Sequence, residues 1–359
     1  MRAFFFWEKR AGGLTLDHKC NPYAGLLARE LEKLGIHLEL GDYAFEKEWL
    51  ETHRSSYDVL HLNWLHWFYR QDTLEETVAR YARFSENLAY AKSLGYRIVW
   101  TIHNRYPHER PYPQVDHLAR LMVGKAADAV IAHCNHAADL ARRLFYREHE
   151  LHVIPHGNFI DVFDNRISRS DARDQLGIAQ NAFVYLFFGN ARIYKGLENL
   201  IASFSRVARP DANLVLMTRR AFDATYSDKV IELAKGDPRI LVFTNPFFPN
   251  DDFQIYLNAS DVVTLPFSEV LTSGTAITAL GFGKPVILPA LGCLSELIDE
   301  EAGILFDASN PHGLGTAMEE IRRWDLEQAG DAALACARVL DWSGIAKKIS
   351  ELYRGIQPV

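Results

Sequence analysis

Two cations near the middle of the chain stand where a phosphate group could be bound. Arg192 and Lys195 lie three residues apart, and Gly189-Asn190 separates them from the apolar run 182–188. An arginine can fork onto phosphate oxygens while a lysine neutralises charge, and the N–H groups at a helix start attract anions. The spacing therefore predicts a diphosphate site. The alternative is a solvated turn that carries two surface cations.

A second segment supplies hydroxyl groups at the start of a predicted helix. Thr272, Ser273, Gly274 and Thr275 follow one another, and Glu269 lies in the loop just before them. Hydroxyls and free backbone N–H groups at the positive end of a helix form an anion cradle. Plain N-capping is the alternative, but one hydroxyl is enough for a cap. The segment therefore favours ligand binding.

Histidines are concentrated in the first half of the chain, which holds thirteen of the fourteen. Because histidine titrates near neutral pH, this half is the expected place for proton transfer. His103 directly follows a predicted strand, and His108 has Glu109 beside it as an orienting carboxylate. Asp17 and His18 lie just before the first predicted helix. For each of these residues the alternative is a hydrogen-bonded structural role.

Four further residues are candidate ligand contacts. Gly12 and Gly13, in the loop after the first predicted strand, allow backbone amides to approach a phosphate closely, unless they form an ordinary turn. Arg219 follows the predicted strand 213–217 and is a candidate phosphate or nucleotide contact. Phe247 lies in the loop 245–249, which is expected to face the nucleotide base.

Composition excludes several classes of protein. A length of 359 residues predicts two domains, and a net charge of −7 argues against a nucleic-acid partner. No apolar run approaches the roughly 20 residues of a membrane-spanning helix. His133-x-x-His136 lacks a third ligand and the cysteines form no CxxC pair, so no metal is expected. The expected location is the cytoplasm.

The elements that position these residues alternate as strand and helix, which is typical of parallel sheets with helices on both faces. The first half is predicted to contain the strands 3–7, 37–40, 59–62, 97–102, 129–132 and 151–154. The second half is predicted to contain the strands 182–188, 213–217, 240–243, 261–265 and 285–288. The polar stretch 158–180 between them is predicted to be an interdomain linker with a short helix that Gly177 ends. Two doubly wound α/β domains facing across a cleft are expected.

At these motifs the chain resembles the GT-B glycosyltransferases, and in particular the family 4-like group. Arg192…Lys195-Gly196, the loop and helix from Glu269 to Val286, and the closing 341–353 segment carry the resemblance. It implies an acceptor-binding Rossmann-like domain at 1–160 and a nucleotide-sugar-binding one at 161–340. It also implies a C-terminal helix, 341–359, that returns to the first domain.

The resemblance also implies roles for individual residues. The histidine of the loop that holds His103 contacts the transferred sugar in the family, and His108 with Glu109 is the preferred base. Asp17 and His18 lie where unrelated inverting GT-B enzymes place a base. The chain departs from the family at Thr278, where a second glutamate usually holds the nucleotide ribose, and Glu269 is one residue out of register. A retaining mechanism is therefore not implied by these residues.

A narrower resemblance is to bacterial exopolysaccharide glycosyltransferases of the xanthan β-mannosyltransferase type. Four segments carry it in order: 21–23, 57–64, 101–109 and 272–275. It implies inverting transfer from GDP-mannose to a saccharide or lipid-linked saccharide. Because no metal-binding carboxylate pair is evident in the sequence, the transfer is expected to need neither a metal nor a cofactor. The aromatic segment 64–70 is either buried packing or a platform for a sugar or a membrane surface, so peripheral membrane contact is a further expectation.

Three other functions fit the same motifs. A retaining transferase would share the fold, and a non-catalytic nucleotide-sugar-binding protein would keep the donor site without the chemistry. A sugar-nucleotide epimerase of similar build would convert its ligand without an acceptor. The sequence does not reveal the nucleotide base, the sugar, the linkage or the oligomeric state.

Overall fold

The computed structural model of the protein describes residues 1–7, 21–207, 209–219 and 224–356. These residues form two compact units. Unit 1 comprises 1–157 and 342–356, apart from the undescribed residues, and unit 2 comprises 158–341. Each unit is an α/β body around its own parallel sheet.

Unit 1 is built on a six-stranded sheet with the order β2-β1-β3-β4-β5-β6 among the described residues. Every neighbouring pair is parallel. Helices cover both faces of such a sheet, so its strands are apolar throughout; Phe5 and Phe6, for example, are fully buried. Its strands are β1 (Arg2–Phe6), β2 (His37–Gly41), β3 (Val59–Leu62), β4 (Arg97–Ile102), β5 (Ala129–Ala132) and β6 (Leu151–Val153).

Unit 2 repeats this plan with the sheet order β12-β11-β10-β7-β8-β9 in the described chain. Its neighbouring strands are also parallel. The long strands β7 and β8 pair over their whole length, which brings Gly189 beside Thr218. Its strands are β7 (Phe183–Asn190), β8 (Ala212–Arg219), β9 (Ile240–Thr244), β10 (Val262–Thr264), β11 (Val286–Pro289) and β12 (Gly303–Phe306).

Helices connect the strands in both units, and short 3₁₀ helices lie at Ile193–Lys195 and Gly292–Glu296. The helices of unit 1 before the crossing to unit 2 are α1 (Tyr23–Lys33), α2 (Lys47–His53), α3 (His66–Tyr69), α4 (Leu74–Ser93), α5 (Pro113–Ala126) and α6 (Asn135–Phe145). Those of unit 2 are α7 (Arg169–Leu176), α8 (Leu197–Val207), α9 (Ala224–Ala234), α10 (Asn250–Ala259), α11 (Gly274–Gly281), α12 (Gly313–Ile321) and α13 (Leu326–Val339).

The last helix, α14 (Trp342–Gly355), belongs to unit 1. Tyr353 on this helix is fully buried, and its hydroxyl lies 2.5 Å from Nδ1 of His61 on β3. A Cβ on Gly157 would lie 2.2 Å from the Trp342 ring, so only glycine permits this close approach. The chain therefore returns to its first unit through specific buried contacts.

The predicted strand and helix alternation is confirmed. All eleven predicted strands are present, three of them with the predicted bounds and the others with ends shifted by one or two residues. Strand β12 and the helices α12 and α13 were not predicted. The run of β12 begins with Gly303, and glycine is depleted in strands, so the strand signal there is weak.

The prediction of a linker at 158–180 is wrong. This stretch is part of unit 2, and the Arg173 side chain on α7 is fully buried there. Its Nη2 donates to Asp261 at 2.8 Å, and its other nitrogens donate to the carbonyls of Ala259, Gln180 and Ala182 at 2.8 to 3.0 Å. Polar composition indicated a linker because a buried, fully paired arginine has the same sequence signature as a solvated one.

Replacing Arg173 with methionine should destabilise unit 2. The change removes one donor from the buried Asp261 carboxylate, which keeps Arg169 and the Val184 N–H, and it removes the Arg173 donors from several carbonyls. Each group left unsatisfied typically costs about 1–3 kcal/mol. The shift of the urea unfolding midpoint measures this loss of stability. Arg166→Met is the matched control, since the Arg166 side chain is 80% exposed and pairs with Asp164 in solvent; about 0.5 kcal/mol or less is expected there. Equal losses in the two variants would contradict the structural role of Arg173.

Candidate functional site

The carboxyl ends of β7 and β10 mark a topological switch point in unit 2. The chain leaves β7 towards β8 on one side, and β10 later pairs with β7 on the other side. In open parallel sheets, ligands bind in the crevice outside the carboxyl ends of strands at such a point. Two loops meet here, which we call the cation loop (residues 189–196) and the hydroxyl loop (residues 266–275).

The cation loop contains both predicted phosphate ligands. Gly189 and Asn190 end β7, and Gly189 has a φ of 132°, which disfavours any other residue. The Lys195 ammonium lies 4.4 Å from the centre of the Phe267 ring. Burial, and then the nearby Arg192, lowers the pKa of Lys195 to about 7. A lysine held in this way regains its charge when an anion binds beside it.

The hydroxyl loop packs directly on the cation loop. The backbone N–H of Ser268 donates to the carbonyl of Tyr194 at 2.9 Å. Gly196 has a φ of 70°, and a Cβ there would lie 2.0 Å from the carbonyl oxygen of Pro266. A Cβ on Gly189 would lie 3.9 Å from the Thr275 hydroxyl. The two predicted motifs are therefore neighbours.

Helix α11 begins at the end of the hydroxyl loop. Ser273 is its N-cap, and its hydroxyl accepts from the N–H of Ala276 at 3.2 Å. Thr272, Gly274 and Thr275 are half-buried beside this cap. The Thr278 hydroxyl donates to the carbonyl of Gly274 at 2.8 Å. It therefore satisfies the helix backbone at the position where the resembling family has its second glutamate.

The remaining predicted ligand contacts of unit 2 lie at the same sheet edge. Arg219 ends β8, and its Nε donates to the carbonyl of Pro246 at 3.1 Å. Half-buried Phe247 lies in the same loop, where its N–H donates to the Asn245 side chain at 3.2 Å. Glu269 is exposed in the hydroxyl loop. Arg219 thus anchors the loop predicted to face the nucleotide base.

In unit 1 the carboxyl edge carries a group of four buried histidines, which we call the histidine cluster. His61 lies on β3, and one histidine follows each of the next three strands: His103 after β4, His133 after β5 and His156 after β6. Tyr23 on α1 packs against the last three of them, with ring centres 4.9 to 5.9 Å apart. Parallel strands bring these residues together because their carboxyl ends share one edge.

Hydrogen bonds connect the cluster. His133 Nε2 lies 3.2 Å from His103 Nδ1, and His103 Nε2 lies 2.9 Å from the Asn63 side-chain oxygen. His61 Nε2 lies 2.7 Å from the Thr101 hydroxyl. Both ring nitrogens of His103 are therefore engaged with protein atoms.

Burial keeps the histidine cluster neutral. It lowers the pKa of His61 and of His156 to about 3, with a smaller effect from His133. It lowers the pKa of His133 to about 4 and holds that of His103 well below its usual value. None of the four carries a charge near neutral pH in the free protein.

A cavity open to solvent lies beside this cluster, and its volume of about 260 Å³ includes part of that solvent. It is lined in part by His103, Asn104, His66 and Arg120. Burial lowers the pKa of His66 to about 3, with smaller effects from Arg70, Arg120 and His108. The cavity is thus lined by two imidazole rings and a guanidinium group.

The other predicted base candidates lie elsewhere or are not described. His108 and Glu109 are exposed in the loop between β4 and α5. Gly12, Gly13, Asp17 and His18 lie outside the described residues. Within the aromatic segment 64–70, Phe68 and Tyr69 are buried, whereas Trp67 is 61% exposed.

Sequence reasoning missed the roles of Asn63, His61 and Tyr353 in the histidine cluster. A usable signal was present, since four successive strands each carry a histidine or asparagine at or just after the carboxyl end. The partner on α14 had no such signal, because it is 292 residues from His61.

Two features are absent from the described ranges. No group of three or more His, Cys, Asp or Glu side chains there is arranged to hold a metal ion. No helix in the same ranges is long and apolar enough to cross a membrane.

Two family models match separate segments of the chain. Residues 23–158 match the model described as "Glycosyltransferase Family 4", and residues 182–323 match "Glycosyl transferases group 1". The two segments correspond to the main parts of units 1 and 2.

Similar proteins bear glycosyltransferase names. A D-inositol 3-phosphate glycosyltransferase of Xylanimonas cellulosilytica is 24% identical over 69% of this chain and 61% of its own length. A GDP-mannose:glycolipid 4-beta-D-mannosyltransferase of Xanthomonas campestris is 24% identical over 68% of this chain and 65% of its own. The chain thus spans less than two thirds of the length of these curated relatives.

Solved structures show the same fold. Anabaena HepE in complex with UDP superposes with a TM-score of 0.70 at 18% identity, covering 98% of each chain. This likeness confirms the GT-B fold class.

Replacing Gly196 with alanine should disrupt the cation loop. Its Cβ would collide with the Pro266 carbonyl and separate the two loops, so the affinity for nucleoside diphosphates should fall at least tenfold. Isothermal titration calorimetry measures this loss. Gly177→Ala is the matched control, because Gly177 has a similar φ of 67° but open space around its Cβ. It should cost only about 1 kcal/mol in stability and leave binding unchanged; equal binding by both variants would refute the role of the contact.

Proposed function

The chain belongs to the glycosyltransferases of the family 4 and group 1 type, and we propose that it transfers a sugar from a nucleotide-diphosphate sugar to a saccharide acceptor. The observation that carries the proposal is the packing of the cation loop on the hydroxyl loop at the switch point of unit 2. It brings Arg192, Lys195 and the N-terminus of α11 to one sheet edge. Together they can neutralise a leaving diphosphate.

The proposed donor is GDP-mannose. Its support is the similarity to a protein named GDP-mannose:glycolipid 4-beta-D-mannosyltransferase. UDP-sugars are the competing donors, since a solved structure of the same fold holds UDP. Arg219 and Phe247 are proposed to lie along the nucleoside.

Transfer is proposed to be inverting and to need neither a metal nor a cofactor. The pair of cations beside the helix N-terminus supports metal independence, because it supplies positive charge for the diphosphate. The Thr278 hydroxyl, bonded to the Gly274 carbonyl, replaces the family's ribose-binding glutamate. The anomeric configuration of the product, read by NMR, separates inversion from retention.

Acceptor activation is proposed to occur in unit 1. His108, with Glu109 next to it, is the proposed base because both side chains are exposed to solvent, from which an acceptor hydroxyl would approach. His103 is proposed to line the sugar site, beside this open cavity. A lipid-linked acceptor and contact with a membrane surface are part of the proposal through exposed Trp67.

Nucleotide sugars should stabilise the protein selectively. A ligand at a hundredfold excess over its Kd adds about 2.7 kcal/mol to the free energy of unfolding. Thermal unfolding in the presence of UDP-, GDP-, ADP- and dTDP-sugars measures this shift. The largest shift is expected with GDP-mannose, and none in Arg192→Ala/Lys195→Ala.

Arg166→Ala/Lys235→Ala is the matched control, since it removes the same two charge types from exposed positions of unit 2. It should keep the full shift. A larger shift with another nucleotide sugar would replace mannose in the proposal. No shift with any of them would refute the donor site.

Donor binding should weaken above neutral pH. Because the pKa of Lys195 is lowered to about 7, the free protein loses this charge as the pH rises through 7, while the diphosphate needs it. The affinity for GDP should therefore fall by up to about tenfold for each pH unit between 7.5 and 9. Calorimetric titration over this range measures the slope. Lys195→Arg keeps its charge and should give a flat profile; an equal slope in both proteins would assign the effect to another group.

Activity assays distinguish a transferase from a non-catalytic binding protein and from an epimerase. His108→Ala should lower kcat at least a hundredfold with an unchanged Kd for the donor, the typical size of a lost general base. A wild-type protein that binds the donor but forms no product with any saccharide acceptor would instead be a non-catalytic nucleotide-sugar-binding protein. Conversion of the sugar nucleotide without an acceptor would indicate an epimerase.

A further inference from the structure

The amine of Lys195 lies against aromatic rings. Its Nζ is 4.4 Å from the centre of the Phe267 ring and 5.4 Å from that of the Tyr194 ring. Among the residues that the structure describes, none forms a hydrogen bond or an ion pair with this nitrogen. Burial, and then the Arg192 charge, lowers the pKa of Lys195 to about 7. About half of the free protein therefore carries a neutral amine here at pH 7.

The charged groups around this amine favour a phosphate. Arg192 lies in the same loop and is close enough to lower the pKa of Lys195. Glu198, in the first turn of α8, is paired with Lys229 at 3.1 Å, and Glu269 of the hydroxyl loop is exposed. An oxyanion at this sheet edge is thus attracted by the Arg192 guanidinium and meets an amine that can act as a nucleophile.

We propose that Lys195 is a site of acylation by acyl phosphates, the mixed anhydrides of a carboxylic acid and phosphoric acid. The phosphate group binds where the donor diphosphate is proposed to bind, so the inference rests on the proposed function. The Lys195 nitrogen attacks the acyl carbon, and an N–C bond forms as the C–O bond to phosphate breaks. The electron pair of that bond and one amine proton leave with inorganic phosphate. The product is an uncharged amide.

Lys284 separates the effect of a phosphate site from that of burial alone. Burial also lowers its pKa, to about 8, and its Nζ donates to the carbonyl of Ser260 at 3.1 Å. The neighbouring guanidiniums of Arg169 and Arg173 are both paired with the buried Asp261 carboxylate at 2.8 Å. A phosphate would meet a carboxylate and a carbonyl there, so Lys284 should stay unmodified when Lys195 reacts.

Acylation should prevent donor binding. The amide has no charge, and its acyl group covers the nitrogen that the diphosphate would contact. Loss of one charge-assisted hydrogen bond weakens binding by about tenfold or more, so the affinity of the acylated protein for GDP should fall by at least that factor. Because the phosphate groups of the two ligands share one site, a bound nucleotide should in turn protect Lys195.

Peptide mass spectrometry of the full-length protein treated with acetyl phosphate tests the proposal. The acetylation rate of Lys195 should saturate as the acetyl phosphate concentration rises, because attack follows binding. For the same reason Lys195 should react at least about tenfold faster than Lys284 or the exposed Lys235. Acetic anhydride is the matched reagent without a phosphate, and its reaction with Lys195 should not saturate.

Arg192→Ala removes the guanidinium of the phosphate site. The acetyl phosphate rate at Lys195, divided by the acetic anhydride rate there, should fall by about tenfold. This ratio cancels any change in the basicity or exposure of the amine. Arg166→Ala is the matched control, since it removes an exposed arginine of unit 2 that pairs with Asp164, and it should keep the ratio. If Arg192→Ala fails to fold, saturation of the wild-type rate carries the test.

A Lys195 rate that stays proportional to the acetyl phosphate concentration would overturn the proposal. An equal rate ratio in wild type and Arg192→Ala would do the same. Calorimetry with GDP and UDP tests the proposed function separately. Nucleotide binding without preferential acetylation of Lys195 refutes the acylation site and leaves the proposed function standing. Saturable acetylation in a protein that binds neither nucleotide supports the acylation site and refutes the nucleotide-sugar donor.

Discussion

The close approach of Gly196 to the Pro266 carbonyl is the constraint on which the unit 2 site depends. A side chain at residue 196 would force the cation loop away from the hydroxyl loop. With glycine there, Lys195 lies against the Phe267 ring and the Ser268 amide bonds to Tyr194. The backbone geometry of the two loops thus positions the Lys195 charge. The sheet contributes by ending β7 and β10 at the same edge.

In both units, burial shifts the pKa of ionisable groups away from their usual values. In unit 2 burial lowers the pKa of Lys195, and in unit 1 it keeps the histidine cluster neutral. Groups held away from their usual charge state respond strongly to an anion, because ligand charge offsets the desolvation cost. The same logic does not apply to Arg173, whose charge is paired with Asp261 and supports the packing of α7.

Much of the fold was predictable because hydrophobic periodicity is local. The eleven predicted strands follow from runs of apolar residues, and the predicted end of α7 follows from Gly177, which has a φ of 67°. The short strand β12 lacked that signal. The stretch 158–180 was misjudged as a linker because burial of Arg173 depends on Asp261, 88 residues away.

For the candidate site, the sequence by itself determined which residue types follow which strands: the cations after β7, the hydroxyls before α11 and the histidines of the first half. Strand order alone decided which of them meet, since β10 pairs with β7 and brings the two loops together. Tertiary structure also decided protonation. Burial and the neighbouring His133 hold the pKa of His103 well below its usual value, and its ring nitrogens are bonded to Asn63 and His133. Hydrogen bonds between residues distant in sequence leave no local pattern, so only the folded chain reveals them.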